Sequence, residues 1–167
     1  KGAVSRLRAA GVPIHSADIG GLVLRLHDAQ QTVSYYEGAR AHAERFEAYG
    51  DRLLDLANLV RKGRDISESS YREARVFIAR ARGQVDEMCR DTPLILSPAA
   101  TGPAPQGLAF TGNSSLNSAW TALGTPGITT PMPAPGTLPL GLQITAPHGQ
   151  DARVLQAAVR IEALFPG

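Results

Sequence analysis

Apolar positions in the first half of the chain recur at helical spacing. Between Asp51 and Arg61, Leu53, Leu54, Leu56, Ala57 and Val60 follow the period that lines one face of a helix, and Gly63 follows as a stop signal. Further on, Ser70 and Glu73 have the spacing of a capping box. Ala74, Phe77, Ile78, Ala81, Val85 and Met88 then fall on one helical face, which has to be buried against a partner. Leu22 to Phe46 predicts a longer, less regular helix with Gly38 as its weak point. Ahead of it, Ala3 to Ala10 predicts a short helix, and the partial alternation of Val12 to Ile19 predicts a strand.

The period changes in the second half. Leu94-Ile95-Leu96, held between Pro93 and Pro98, is a short continuous apolar run of the kind found in a strand covered on both faces. Gly127 to Thr130 is a second strand candidate. From Leu138 to Ala146 the alternation is plain: Leu138, Leu140, Leu142 and Ile144 point one way and Pro139, Gly141, Gln143 and Thr145 the other. Pro139 puts the start of that strand at an edge or an end. Asp151 reads as the cap of a last helix whose inner stripe is Val154, Leu155, Ala158, Ile161 and Phe165. Strands alternating with helices imply an α/β architecture, with a helical half over residues 1–91 and a strand-and-loop half with a final helix over residues 92–167.

Charge sharpens that division. Residues 1–91 hold 15 of the 17 Lys and Arg and 13 of the 15 Asp and Glu, whereas residues 92–150 contain none of either. The uncharged half also holds ten of the twelve prolines, a composition that suggests a linker. Its large apolar residues argue the other way, since disordered segments lack them, and the stretch is expected to be ordered and mostly enclosed. The net charge of +2, with both signs interleaved, disfavours nucleic acid and anionic membrane as partners. No apolar run approaches the ~20 residues that span a bilayer. A single cysteine, Cys89, allows no intrachain disulfide, so the expected location is cytoplasmic.

The pieces Asp91-Thr92-Pro93-Leu94-Ile95-Leu96-Ser97-Pro98, Ala104-Pro105, Thr111-Gly112, the run from Asn117 through Trp120 to Pro126, and Leu138-Pro139-Leu140-Gly141-Leu142-Gln143 occur in an order and spacing that resemble the C-terminal third of amidase-signature enzymes. Asp151 and the helix through Glu162 complete the set. Residues 1–19 and 63–81 resemble the family more loosely.

The resemblance implies part of a mixed β-sheet flanked by helices, incomplete without an N-terminal catalytic half. It also implies hydrolysis of carboxamide C–N bonds through a serine acyl-enzyme. The family's serine nucleophile, its second serine on a cis peptide and its lysine base come from segments not found here, so no catalytic residue is expected in this chain. The expected partners are a small-molecule amide and that catalytic half, with self-association into a homo-oligomer as a further option. An amidotransferase-type subunit, or a non-catalytic protein-interaction module, are the alternatives. No cofactor and no metal is implied.

If the family likeness holds, the helix starting near Asn113 lies along the substrate channel, which makes Asn113, Asn117 and Trp120 the candidate substrate contacts. Each also has a structural reading: Trp120 as core, Asn117 as a loop tether through backbone hydrogen bonds. Ser114-Ser115 lacks a Gly-rich element beside it and reads as a helix start capped by Ser or Asn. A triad of Ser115, His148 and Asp151 can be drawn on paper, without the G-x-S-x-G turn that would support it. Lys62, between Arg61 and Arg64, reads as a solvated side chain, and Lys1 is terminal. His27 and His42 are too far apart along one helix to share an ion, and His15 with Asp18 lacks a third ligand. Arg90 beside Cys89 slightly favours the thiolate, though an inert cysteine is the simpler expectation.

Overall fold

Seven helices and three strands make up a computed structural model that describes residues 2–132 and 138–165. Helix α1 (Gly2–Ala9) buries Leu7 completely. Residues 12–19 do not form the expected strand. Val12 and Ile14 turn inward onto the core, so their alternation is real, but the segment runs irregularly and no strand among the described residues pairs with it.

Helix α2 (Gly20–Ala41) is interrupted at His42 rather than at Gly38, and α3 (Ala43–Tyr49) continues from there. A 3-10 turn (Gly50–Leu53) leads into α4 (Asp55–Arg64) through Leu54, which is 77% exposed and held at φ +52. Gly63 is not a stop signal. It is buried inside α4, where a Cβ would meet the Tyr35 carbonyl oxygen at 1.9 Å and the Ala39 Cβ at 2.6 Å. Gly38 is its counterpart on α2, with Leu59 Cδ2 2.6 Å from where its Cβ would sit. Gly63 lets the α4 backbone approach the α2 backbone, and Gly38 lets the Leu59 side chain seat against α2.

Helix α5 (Glu68–Met88) starts three residues before the expected capping box. Ser67 is the cap, its Oγ accepting from the Ser70 N–H at 3.1 Å. Only Asp65 and Ile66 separate α4 from this cap, so the first serine of the cluster is used. The ion pairs on these helices (Arg61–Asp51, Arg64–Glu47, Arg72–Glu68, Arg90–Glu87) are exposed and add little stability.

The second half supplies β1 (Ile95–Pro98), α6 (Ser115–Leu123), β2 (Gly127–Met132), β3 (Leu140–Thr145) and α7 (Asp151–Glu162). The sheet order is β1-β3-β2, and both outer strands run antiparallel to β3, with Ile95 and Gly127 each opposite Thr145. β1 and β2 are therefore parallel to each other, joined by the α6 crossover, with β3 between them. Pro139 lies just ahead of β3, as expected, but β3 is the central strand.

Both faces of the sheet are covered. Leu142 and Ile144 pack with Leu7, Val154, Ala158, Ile161 and Phe165 in a core under α1 and α7. On the other face Ile95 reaches a second core made by Leu26, Ala81, Val85, Cys89, Ala119, Trp120 and Leu123. The molecule is thus a helix–sheet–helix α/β sandwich.

Three details depart from expectation. Gln150, not Asp151, occupies the cap position of α7, and it makes no side-chain cap bond. Leu155 is 57% exposed, on the outer side of α7. Enclosure of the uncharged half holds for the strands and α6 but fails for residues 99–114, where Leu108 is fully exposed and Phe110 61% exposed. Gly136 and its neighbours between β2 and β3, like Lys1, lie outside the described residues.

Candidate functional site

Residues of the 99–114 loop and one end of the sheet line an open cavity of about 940 Å³. β1 contributes Leu96, Ser97 and Pro98, the start of β3 contributes Leu140, Gly141 and Leu142, and the first residues of α1 close one side. Gly141 must be glycine here, because a Cβ would lie 2.4 Å from Thr129 Cγ2 and 2.8 Å from Ala99 Cβ. Its carbonyl receives the Ala99 N–H at 3.0 Å, which anchors the start of the loop to the sheet.

Two of the three candidate contacts come together on this cavity. Asn113 and Asn117 line it, and both also do structural work. Ser114 is the cap residue of α6 and makes no side-chain cap bond; Asn113 Oδ1 accepts from the Ser115 N–H at 2.8 Å in a turn just ahead of the helix, while Asn117 Nδ2 donates to the Ala99 carbonyl at 3.2 Å and ties the loop to the helix. Trp120 is not on the wall. It is 4% exposed and packs in the helical core with Ala119 and Leu123.

The serines and histidines are arranged for structure. Ser114 lines the cavity, and its carbonyl accepts from the Asn117 and Ser118 N–H groups at 2.9 Å. His148 lies past the far end of α6, where Nδ1–H donates to the Gly124 carbonyl at 2.6 Å. Ser115 begins that helix, roughly 13 Å away at 1.5 Å per residue, so Ser115, His148 and Asp151 form no triad. Arg82 Nε donates to the Leu123 carbonyl at 2.8 Å, and a cation at a helix C-terminus is the favourable placement.

A contact with no local signal in the sequence joins residues 27 and 118. His27 Nδ1 is 2.6 Å from Ser118 Oγ, Gln31 Nε2 is 2.9 Å from His27 Nε2, and Ser118 Oγ is 3.3 Å from the Ser115 carbonyl. One tautomer uses every donor: the Gln31 amide donates to Nε2, Nδ1–H donates to Ser118 Oγ, and the Ser118 hydroxyl donates to the Ser115 carbonyl. In that tautomer the serine proton points away from the imidazole, opposite to the direction a nucleophilic Ser–His pair needs. The network docks α6 on α2.

Cys89 is buried, and burial pushes its thiol up, with the Asp86 carboxylate adding to the shift. Arg90 does not favour the thiolate, since its guanidinium pairs with Glu87. Tyr71 is also raised, first by donating to Glu37 Oε1 at 2.7 Å. Among the described residues no three His, Cys, Asp or Glu side chains converge as a metal site, and no helix is long and apolar enough to cross a membrane.

No family model matches the chain. In sequence it is 28% identical over 160 residues to the A-type subunit of glutamyl-tRNA(Gln) amidotransferase from Thermus thermophilus, covering 84% of this chain and 34% of that protein. A crystal structure of an amidase superposes with a TM-score of 0.83 at 22% identity, covering 99% of this chain and 42% of the amidase. The substrate complex of 6-aminohexanoate cyclic dimer hydrolase gives 0.74 at 19% identity, covering 99% and 40%. A bacterial aryl acylamidase of the amidase-signature family gives 0.72 at 18% identity, covering 99% and 39%.

The fold is that of amidase-signature enzymes. The resemblance carried by residues 91–163 stands on that finding, and the chain spans about a third of the length of the curated relative it matches.

Proposed function

We propose that this chain is the C-terminal portion of an amide-hydrolysing enzyme of the amidase-signature type, and that it forms scaffold and one wall of the substrate cavity. The nucleophilic serine then belongs to polypeptide outside residues 1–167. One observation carries the reading: nearly the whole chain superposes on the amidase while accounting for 42% of it, with a large cavity left open beside exposed Phe110 and Leu140.

In such an enzyme the serine attacks the carboxamide carbon, the C–N bond breaks as the amine leaves, and water releases the acyl group. The part played by this chain is positional. The Asn117–Ala99 bond ties α6 to the loop that leaves β1, and the His27–Ser118 network docks α6 on α2, so the two together hold α6 in place beside the cavity.

The test is chemical labelling. Residues 1–167 alone should turn over no amide and take no fluorophosphonate, whereas the natural full-length product should be labelled at one serine outside this region. Stoichiometric labelling of Ser114 or Ser115 would overturn the proposal. Transfer of an amide nitrogen to a second acceptor is a second reading, favoured by the sequence likeness to a component of an amidotransferase. Glutaminase activity that rises when an aminoacyl-tRNA acceptor is added would select it.

A further inference from the structure

Helix α7 carries two apolar sides. Its inner side, with Val154, Ala158 and Ile161, is buried against the sheet. On its outer side Leu155 is 57% exposed and Val159, one turn further on, 70% exposed, and the exposed Ala152 and Ala163 extend the same stripe at both ends. A helix on the outside of a domain ordinarily turns polar residues outward, so a second apolar stripe is a face that lacks its partner.

Charge on α7 is sorted by side. At about 100° per residue, Asp151 and Glu162 fall roughly 90° to one side of the exposed stripe, and Arg153 and Arg160 roughly 90° to the other. All four are exposed, and none makes an ion pair among the described residues. In the helical half, by contrast, Glu47, Asp51, Glu68 and Glu87 each have an arginine partner.

This order decides what can lie on the stripe. A second α7 placed against it about a two-fold axis parallel to the helix sets its acidic flank on the basic flank of the first. Arg153 then faces Asp151 of the second copy near the start of the helix, and Arg160 faces Glu162 of the second copy near its end. Each pair is offset by two residues, about 3 Å along the axis, within reach of an arginine side chain. Antiparallel packing would set acid on acid and base on base, so the charges select the parallel arrangement.

We propose that the outer stripe of α7 is a docking surface for a second copy of this chain, with the two α7 helices paired in parallel. The 12 residues of α7 give a contact strip. It is about 18 Å long and about 10 Å wide, well under the ~800 Å² per partner of a standard interface, so the pair is a weak one. The proposal goes beyond the hydrolase reading and uses no cavity residue.

Sedimentation velocity of residues 1–167 over roughly 10 µM to 1 mM should show a monomer–dimer equilibrium, half complete on the order of 100 µM, and a chain that stays monomeric throughout overturns the proposal. Val159→Asp should weaken the association about tenfold or more, and unchanged association counts against it. A second arm uses the charges. Chains carrying Arg153→Glu with Arg160→Glu, or Asp151→Lys with Glu162→Lys, should each be monomeric alone and pair when mixed; a mixture that does not pair refutes the arrangement. With Cys89→Ala as background, Ala152→Cys should oxidise to a disulfide-linked dimer, as should Ala163→Cys. Cross-linking only in a mixture of those two variants shows antiparallel helices and also refutes it. In the natural full-length product Ala152→Cys should cross-link likewise. If it stays monomeric and unreactive to maleimide there, the stripe is covered by its own polypeptide and the proposal fails. No arm reads amide turnover, so the outcome is separate from that of the hydrolase reading.

Discussion

Gly63→Ala sets two helical effects against each other. Inside an α-helix, alanine is favoured over glycine by about 1 kcal/mol, so propensity alone makes the substitution stabilising. At residue 63, however, the added Cβ would lie 1.9 Å from the Tyr35 carbonyl oxygen and 2.6 Å from Ala39 Cβ. A carbon approaches a carbonyl oxygen no closer than about 3.3 Å, so α4 would have to withdraw from α2 by roughly 1.4 Å. A gap of that size forfeits a large part of the dispersion contact along the helix pair. The obstacle is backbone, which cannot rotate aside, so the upper part of the usual overpacking range applies, about 3 kcal/mol.

The net loss is then about 2 kcal/mol, or a fall of roughly 4–8 °C in Tm for a chain of this size. Gly83→Ala is the matched control. It lies within α5 with nothing within 4 Å of its Cβ position, so propensity should act unopposed, raising Tm by roughly 2–4 °C. Gly38→Ala, which meets only the flexible Leu59 side chain, should fall between the two. Thermal and urea unfolding of the three variants measure this order. A Gly63→Ala chain as stable as the parent, or a Gly83→Ala chain less stable than it, would refute the reasoning.

Other outcomes follow from the same geometry. Trp120→Ala should cost about 3–5 kcal/mol in urea unfolding, because the ring is core rather than cavity wall. Ser67→Ala should cost about 1 kcal/mol as the loss of a helix cap, and Ser70→Ala distinctly less, since Ser70 contributes its backbone N–H to that cap. Cys89 should react slowly with iodoacetamide in the folded chain and quickly in urea. Its folded pKa is raised, so the stability it contributes is present below the unfolded thiol range and lost as pH rises through the folded value; Cys89→Ala should flatten the alkaline limb of the pH–stability curve.

Much of the fold was legible in the sequence because burial imposes a period on it. The faces of α5 and α7, the short apolar run at Ile95 and the alternation through Ile144 were visible for that reason. Misreadings arose where one residue type serves two purposes. Gly63 looks like a helix stop but permits a close helix crossing, and only the position of Tyr35 separates the two. Leu155 keeps the helical phase of the inner stripe yet faces outward. Val12 and Ile14 alternate like a strand, with no neighbouring strand to pair. At the site, Asn113 and Asn117 were candidates only through the family likeness, and both lie on the lining of the cavity. The link from His27 to Ser118 had no signal in the sequence, since tertiary packing alone brings residues 91 positions apart together.

The slot for β3 between two strands that never touch governs the order of assembly. During synthesis, residues 95–98 and 127–132 emerge before the strand that joins them, and among the described residues each gains a strand partner only when residues 140–145 arrive. The helices centred on Leu26 and Trp120 need nothing beyond residue 123 to meet. A nascent chain stalled before Leu140 would thus present a formed helical cluster and two sticky ribbons, the stage at which a chaperone would matter most.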